Sequence, residues 1–518
     1  MIGFRGSKMS SGSGRINNAL RNMSFGVLYR LLQTVVPFFM RTVLIYCLGI
    51  EYVGLNSLFT SVLQILNFAE LGISSAMNFA MYKPIAENDR KKINGLLRLY
   101  KTYYFYIGLV ILVVGVILVP FLPYLVNKDL PSDVNLYVLY AVYLAPNVLS
   151  YWMYSYRCSL LEAHQRNDII SKIGLVLDCI RFFLQFVVLL VFKNYYAYIG
   201  LQLGFQIIYQ FVVYYYVKKI YPNYEPEGEL SEEDKDVIKQ RVKDIVTAKL
   251  GSVIMNSSDT VVISAFLGLS ILAIYQNYFY LISAVISFIG MGMSGAMASI
   301  GNSIVMESEE KIFHDFKNMT FILSWVVCVC TCCFLCLFQP FMKIWMGENL
   351  MLEFSVVILL CVYFYLHEYN QLFNVYKDAA GLWHEDKLRP LITSLTNLGL
   401  NLIMVQYIGL YGVILSTVLS MLVVGMPWLL HNVFTCLFKT NMKSFLTRLF
   451  AYTAITIGCC AVTYLLCGYV NIHPIVDLAV KCLIAMIVPC GVYFLLFFKT
   501  EEFARMMQIV KKLLKISA

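Results

Sequence analysis

A chain of 518 residues that is 59% hydrophobic and 14% charged, with a mean hydropathy of +0.70, has too much apolar surface for any water-soluble core; soluble domains average about 45–50% apolar and 25% charged. Its apolar runs are helix-length rather than ten-residue alternations, which excludes an outer-membrane β-barrel. The net charge of +9 is scattered between apolar runs, as the positive-inside rule scatters it, and is not gathered into a nucleic-acid surface.

In chain order, residues 1–22 form a basic, Ser/Gly-rich tail. Spans of the length needed to cross about 30 Å of hydrocarbon follow near 23–48, 52–79, 102–125, 134–156, 169–192 and 198–217. A linker at 218–246 contains Pro222, Pro226 and Gly228, then Ser231 with Asp234 three residues on, the signature of a helix N-cap. Ile238, Val242 and Ile245 give that helix one apolar stripe before it feeds the next span. The second set lies near 247–268, 271–303, 319–341, 353–376, 390–408 and 410–433. An additional pair is expected at 446–468 and 475–498, ahead of an amphipathic tail over 499–518. The expected fold class is therefore an all-α polytopic membrane protein of about 14 transmembrane helices. It comprises six-helix bundles at 23–217 and 247–433 plus the C-terminal helix pair within 446–498.

Charge orients this arrangement. Of the 40 basic residues, the odd-side loops hold only Lys128, Lys193 and Lys343. Arg30, Arg41, Arg181, Lys249 and Lys481 fall within spans, and the rest lie on the even side or in the tails. Both termini are thus expected in the cytoplasm. Outer loops are short, leaving no room for an external catalytic domain.

The sequence also repeats. Leu48-Gly49-Ile50 through Gly54 to Ser74-Ser75-Ala76-Met77 reappears as Leu267-Gly268-Leu269 through Ala273 to Ser294-Gly295-Ala296-Met297. Six spans separate the copies, an even number, so the halves are expected to be parallel, related by a pseudo-two-fold axis along the membrane normal.

Polar residues inside spans need a reason, because a charge at mid-membrane costs a few kcal/mol on insertion scales. Arg30, Thr34, Pro37 and Arg41 fall on one face of the first span, at i, i+4, i+7 and i+11. They either line a water-filled cavity or snorkel to headgroups. Asn56, Thr60, Gln64 and Asn67 form a stripe on the second span, with Glu70 nearby. Asp178 and Arg181 in the fifth span face a cavity or form an internal ion pair. In the seventh, Lys249, Asn256 and Thr260 share a face beside Asp259, which occupies the repeat position of Arg41 and is expected to gate with it. His367, Glu368, Asn370 and Gln371, with Asn374, make the densest polar cluster of any span. Guanidinium groups suit phosphate, and amides suit sugar hydroxyls, so this lining fits an anionic, hydroxyl-rich cargo. The many Tyr and Phe residues either stack on sugars or mark membrane interfaces.

Other chemistries find no footing. There is no Gly-x-x-x-x-Gly-Lys-Ser/Thr phosphate loop, no His-Glu-x-x-His zinc motif and no Gly-x-Ser-x-Gly elbow. The cysteine run Cys328, Cys330, Cys332, Cys333, Cys336 reads as small apolar filler between helices rather than a metal site. No catalytic residue, metal or cofactor is expected.

Three stretches carry a family resemblance. They are Leu48-Gly-Ile-Glu-Tyr-Val-Gly-Leu55 with Ala69-Glu70-Leu71-Gly72-Ile73; Ser258-Asp259-Thr260-Val261-Val262 leading to Leu267-Gly268 and Tyr275; and Arg389-Pro390, Asn397, Asn401 and Gly409-Leu410-Tyr411-Gly412. The chain resembles the polysaccharide-transporter branch of the multidrug/oligosaccharidyl-lipid/polysaccharide exporter superfamily. That resemblance implies a Wzx-type flippase of the bacterial cytoplasmic membrane. Such a protein moves undecaprenyl-diphosphate-linked oligosaccharide for capsule or O-antigen synthesis by alternating access between two bundles. It implies membrane lipids, the lipid-linked oligosaccharide, and the pathway's polymerase and glycosyltransferases as partners, and no nucleic acid. Two other readings stay open. One is a cation-coupled multidrug exporter of the same fold; the other is a membrane polymerase or glycosyltransferase, which would show a large outer loop or an acidic cytoplasmic domain.

Overall fold

In a bilayer, backbone amides and carbonyls must be satisfied within their own segment, and helices achieve this with no partner strand. The computed structural model describes residues 12–70, 73–126, 129–470 and 473–516, and every regular element among them is helical. The principal helices are α1 (Gly12–Cys47), α2 (Ile50–Leu66), α3 (Ile73–Glu87), α4 (Arg90–Leu118), α5 (Leu136–Trp152), α6 (Asn167–Val191), α7 (Tyr195–Ile220), α8 (Glu232–Leu267), α9 (Leu269–Met306), α10 (Glu309–Met346), α11 (Phe354–Ala379), α12 (Arg389–Leu419), α13 (Met442–Gly468), α14 (Pro474–Phe497) and α15 (Glu501–Ile516).

Among the described residues, 10 helical segments are long and apolar enough to cross a membrane. They differ from the sequence expectation in four places. The second expected span is interrupted by a 3-10 turn at Asn67–Glu70. α5 has only 17 residues, and the apolar end of α8 is the short segment Val253–Leu267. The eleventh and twelfth expected spans form one helical run, Trp383–Phe438. That run reverses at Ile408 (φ −129, ψ 18) and Gly409 (φ 55, ψ −135). The reversal brings Asn397 to Thr417 at 2.8 Å and Asn401 to Ser416. Buried amides and hydroxyls that would otherwise lie unpaired in lipid thus lock the hairpin.

The chain divides into two compact units, one up to Ala273 and one from Ile274. In the first unit α1 lies along α6, α5 packs between α4 and α7, and α8 runs beside α2 and α3. Tyrosines tie its helices together: Tyr140 donates to the Gly115 carbonyl at 3.0 Å, and the Trp152 indole to that of Phe105 at 3.1 Å. Where helices meet most closely only glycine fits. A Cβ at Gly54 would lie 2.4 Å from the Leu269 carbonyl oxygen, and one at Gly174 would lie 2.5 Å from the Tyr29 ring. Gly49 and Gly268, which the expected repeat pairs, both break a helix with positive φ (130 and 102). Gly347 does so as well, at φ 86, so the device is a general helix-to-helix corner.

The linker belongs to this unit. Ser231 caps α8 as its spacing predicts, accepting from the Asp234 amide. Lys92 holds Asp234 at 2.7 Å, Arg157 holds Glu225 at 2.7 Å, and Arg98 donates to the Gly228 carbonyl at 3.0 Å. The hydrogen bond from Lys92 draws the Asp234 carboxyl below its ordinary pKa, so this link holds at neutral pH and is lost on acidification through that lowered value.

The second unit is centred on α10, which contacts α11, α13, α14 and α15. Phe316 sits within 4.8–4.9 Å of Tyr376, Phe438 and Phe445. The cysteine run packs on α13, with Cys332 and Cys460 sulfurs 3.6 Å apart as free thiols among aromatic rings. No group of metal-binding side chains occurs among the described residues.

The α1–α6 seam depends on the missing side chain at Gly174. Gly174→Leu should push Tyr29 out of its place and destabilise the protein by about 1–3 kcal/mol. The check is a fall in the thermal midpoint of the purified protein in detergent, with Gly200→Leu, which has open space around it, as the neutral control.

Candidate functional site

The polar residues inside the first unit sort into two kinds, those consumed by neighbouring helices and those left facing outward. Most of the α2 stripe is consumed. Asn56 accepts from Tyr143 at 2.7 Å, Asn67 and Asn147 exchange amide bonds at 2.8 and 3.3 Å, and Ser257 of α8 donates to Gln64 at 3.3 Å. Glu70, at the end of the 3-10 turn, takes one tyrosine on each oxygen. Tyr104 donates to Oε1 at 2.8 Å and Tyr151 to Oε2 at 3.0 Å, while Tyr100 donates to Tyr104 at 2.6 Å. Charge-assisted bonds of this kind hold a carboxylate inside a bundle without a cation.

Asp178 and Arg181 meet in an ion pair of 2.9 Å, and Tyr29 from α1 donates to Asp178 at 2.9 Å. The Arg181 guanidinium lies 4.4 Å from the centre of the Phe182 ring. The pair is therefore part of the α1–α6 seam, and its geometry is that of an internal brace. Arg41 donates to Ser57 of α2 at 3.3 Å. Arg30, on the same face of α1 one turn before Thr34, is exposed.

Lys249 and Asn256 lie outside the residues whose side chains are described. Asp259 is half-buried on α8, in the same unit as Arg41. The second unit carries the α11 cluster. Glu368 is 1% exposed, its Oε1 has no hydrogen-bond partner, and the imidazole Nδ1 of His367 lies 3.8 Å from it. The side-chain amide oxygen of Asn370 is likewise buried and unpaired, whereas Gln371 is exposed.

The structure also assembles a network that sequence reasoning saw only in part. Asp386 receives Arg389 at 2.6 and 2.8 Å, Asn432 at 3.3 Å and Lys377 at 3.4 Å, and Arg389 reaches Asn374 at 2.8 Å. Arg389 and Asn374 stand out in the sequence; Lys377, in the last turn of α11, and Asp386, in the short helix Trp383–Asp386 that follows, lie beyond the end of the expected span, where no periodicity marks them. The tyrosines around Glu70 and Asp178 are missed for a different reason, since one aromatic among many gives no signal of its partner.

These contents can be set beside known proteins. The family described as "Polysaccharide biosynthesis protein" matches residues 19–298, more than half of the chain. No curated protein matches. Among solved structures, the lipid II flippase MurJ in an inward closed conformation aligns with a TM-score of 0.65 at 15% identity, covering 92% of this chain and 99% of that one. A multidrug-resistance MATE transporter of the MOP superfamily in an inward-facing conformation gives 0.63 at 14% identity, covering 82% and 99%. An outward-facing MATE transporter gives 0.54 at 15%, covering 82% and 95%. At such identities the likeness is one of fold.

Because Asp178 and Arg181 compensate each other away from bulk water, breaking one partner should cost more than removing both. Asp178→Ala should destabilise by roughly 3–5 kcal/mol, and Asp178→Ala with Arg181→Leu by clearly less. Thermal unfolding of the wild type, both single variants and the double variant measures the coupling, and an additive double mutant would refute the brace.

Proposed function

The chain belongs to the polysaccharide biosynthesis protein family, and from that membership together with its exposed intramembrane arginine we propose that it is a flippase for lipid-linked oligosaccharide. The cargo is an undecaprenyl-diphosphate-linked repeat unit carried from the inner to the outer leaflet of a bacterial cytoplasmic membrane. Fourteen spans, cytoplasmic termini and two parallel six-helix bundles complete the reading. The single observation that carries it is Arg30: a guanidinium on a polar face of an apolar helix that stays exposed, while Arg41 bonds to Ser57 and Arg181 pairs with Asp178. A permanently charged group in that position is suited to a diphosphate.

Cargo cavity roles are proposed for Arg30, Arg41, Lys249, Asn256 and Asp259 on the first and seventh spans. Glu70, Asp178 and Arg181 serve at its wall through the helices they brace. In the second bundle His367, Glu368, Asn370 and Gln371 are proposed to face the same path. Chemistry on the cargo requires no nucleophile or metal in this scheme; transport consists of exchanging which side of the membrane the cavity meets.

Closure on the outer side is assigned to the crossing of α2 with the α8–α9 corner. There Gly54 meets the Leu269 backbone, and Ser264 donates to the Leu125 carbonyl at 2.7 Å. Both corners carry the repeat's glycines, and in the proposed topology both lie at the outer surface. A side chain at Gly54 would wedge this seal open.

Two outcomes test these assignments. In a proteoliposome flipping assay at matched protein content, Arg30→Lys should retain most of the rate and Arg30→Ala should lose at least about tenfold, the equivalent of 1.4 kcal/mol in cargo stabilisation. Normal flipping by Arg30→Ala would reduce the residue to a headgroup anchor. Separately, Gly54→Leu should increase labelling of a cysteine introduced at Ser61 by a membrane-impermeant maleimide added from outside; unchanged labelling would remove the α2 crossing from the gate.

A further inference from the structure

The second unit contains a cavity of about 290 Å³ between the end of α9, the start of α10 and the end of α11. That is close to the lower limit of small-molecule pockets and leaves room for about one sugar ring. Its polar lining comes from Ser299, Asn302 and Ser303 on α9, Glu307 just after α9, Asp315 on α10 and Tyr376 on α11.

Tyr376 is the informative member. It is 1% exposed, its ring is fixed 4.8 Å from that of Phe316 and 6.1 Å from that of Phe438, and its hydroxyl has no hydrogen-bond partner among the described residues. The ring is buried while the residue lines the cavity, where solvent or a ligand can meet its hydroxyl. Both carboxylates are partly committed: Glu307 pairs with Lys311, and Asp315 Oδ1 lies 3.5 Å from Arg505 of α15. Glu307 Oε1 and Asp315 Oδ2 carry no hydrogen bond among the described residues. Ionised carboxyls only accept, so an occupant that donates to them is favoured here and an anionic one is disfavoured.

We propose that this cavity is a subsite for one sugar ring bearing hydroxyl or amino donors, and that it rejects rings bearing carboxylate or phosphate. Resting on the flippase reading, it names part of the cargo: a neutral or amino sugar at the position that reaches this pocket. Asp315 and Glu307 accept from ring hydroxyls or an ammonium group, Ser299, Ser303 and Asn302 complete the hydrogen bonding, and Tyr376 supplies a hydroxyl that serves as either donor or acceptor. An anionic ring would meet two carboxylates with Lys311 and Arg505 already engaged.

Saturation-transfer NMR on the purified full-length protein in nanodiscs tests this, with glucose, glucosamine and glucuronate as separate probes. Glucose and glucosamine should receive saturation, and glucuronate at least about threefold less, the effect of one unfavourable polar contact. Ser303→Phe, which fills the space, should abolish transfer to the two donors. Tyr376→Phe, which changes no volume, should weaken it by about threefold or more. Equal transfer to all three sugars, no transfer to any, or transfer unaffected by either substitution would overturn the subsite. Flipping of lipid-linked oligosaccharide by the same wild-type preparation separates the two claims. Flipping without sugar transfer rejects the subsite and leaves the flippase standing; sugar transfer without flipping does the reverse.

Discussion

The constraint on which this architecture rests is that lipid supplies no hydrogen bonds. A polar side chain on a spanning helix must find a partner on another helix or border an internal space. The first solution accounts for most of what the two units contain. Tyr29 and Arg181 share Asp178, Tyr104 and Tyr151 share Glu70, Asn67 pairs with Asn147, and Asn397 and Asn401 lock a hairpin. Each bond fixes the rotation of one helix against another, which apolar packing in lipid does weakly because lipid tails are as apolar as leucine. Polar residues here specify the register of the bundle, and glycines such as Gly54 and Gly174 set how close the helices come.

Against that background the exceptions stand out. Arg30 is exposed, Glu368 is buried with one oxygen unpaired, and Tyr376 lines a cavity. Groups that structure leaves unsatisfied are those available to a ligand or to a change of state. The chain is a member of a polysaccharide biosynthesis family and shares the fold of MurJ and MATE transporters, and the diphosphate contact proposed for Arg30 and the sugar subsite proposed beside Tyr376 each rest on one of these groups.

Much of this was legible in the sequence because membrane helices announce themselves by composition. The N-cap at Ser231, the amphipathic tail and the glycine corners at Gly49 and Gly268 follow from local rules that lipid does not override. The break at Asn67–Glu70 was not legible, since the apolar run continues through it and only the tertiary bonds of Asn67 and Glu70 show why the helix changes pitch. The α2 stripe, which suggests a cavity wall by periodicity, turns out to be largely used in helix pairing. Periodicity reports that a face is polar; it does not report whether water, cargo or another helix meets it. Arg30 and Arg41 show this on a single face, one exposed and one bonded to Ser57.

The central claim is movement of a lipid-linked glycan across a bilayer by this chain alone. Purified protein reconstituted into liposomes with an undecaprenyl-diphosphate-linked oligosaccharide labelled on its sugar gives the direct measurement, with an impermeant glycosidase added outside. The account predicts that the protected inner-leaflet fraction becomes cleavable at a rate proportional to protein content, whereas protein-free liposomes keep about half of the label protected. Protection that persists equally in both would contradict it.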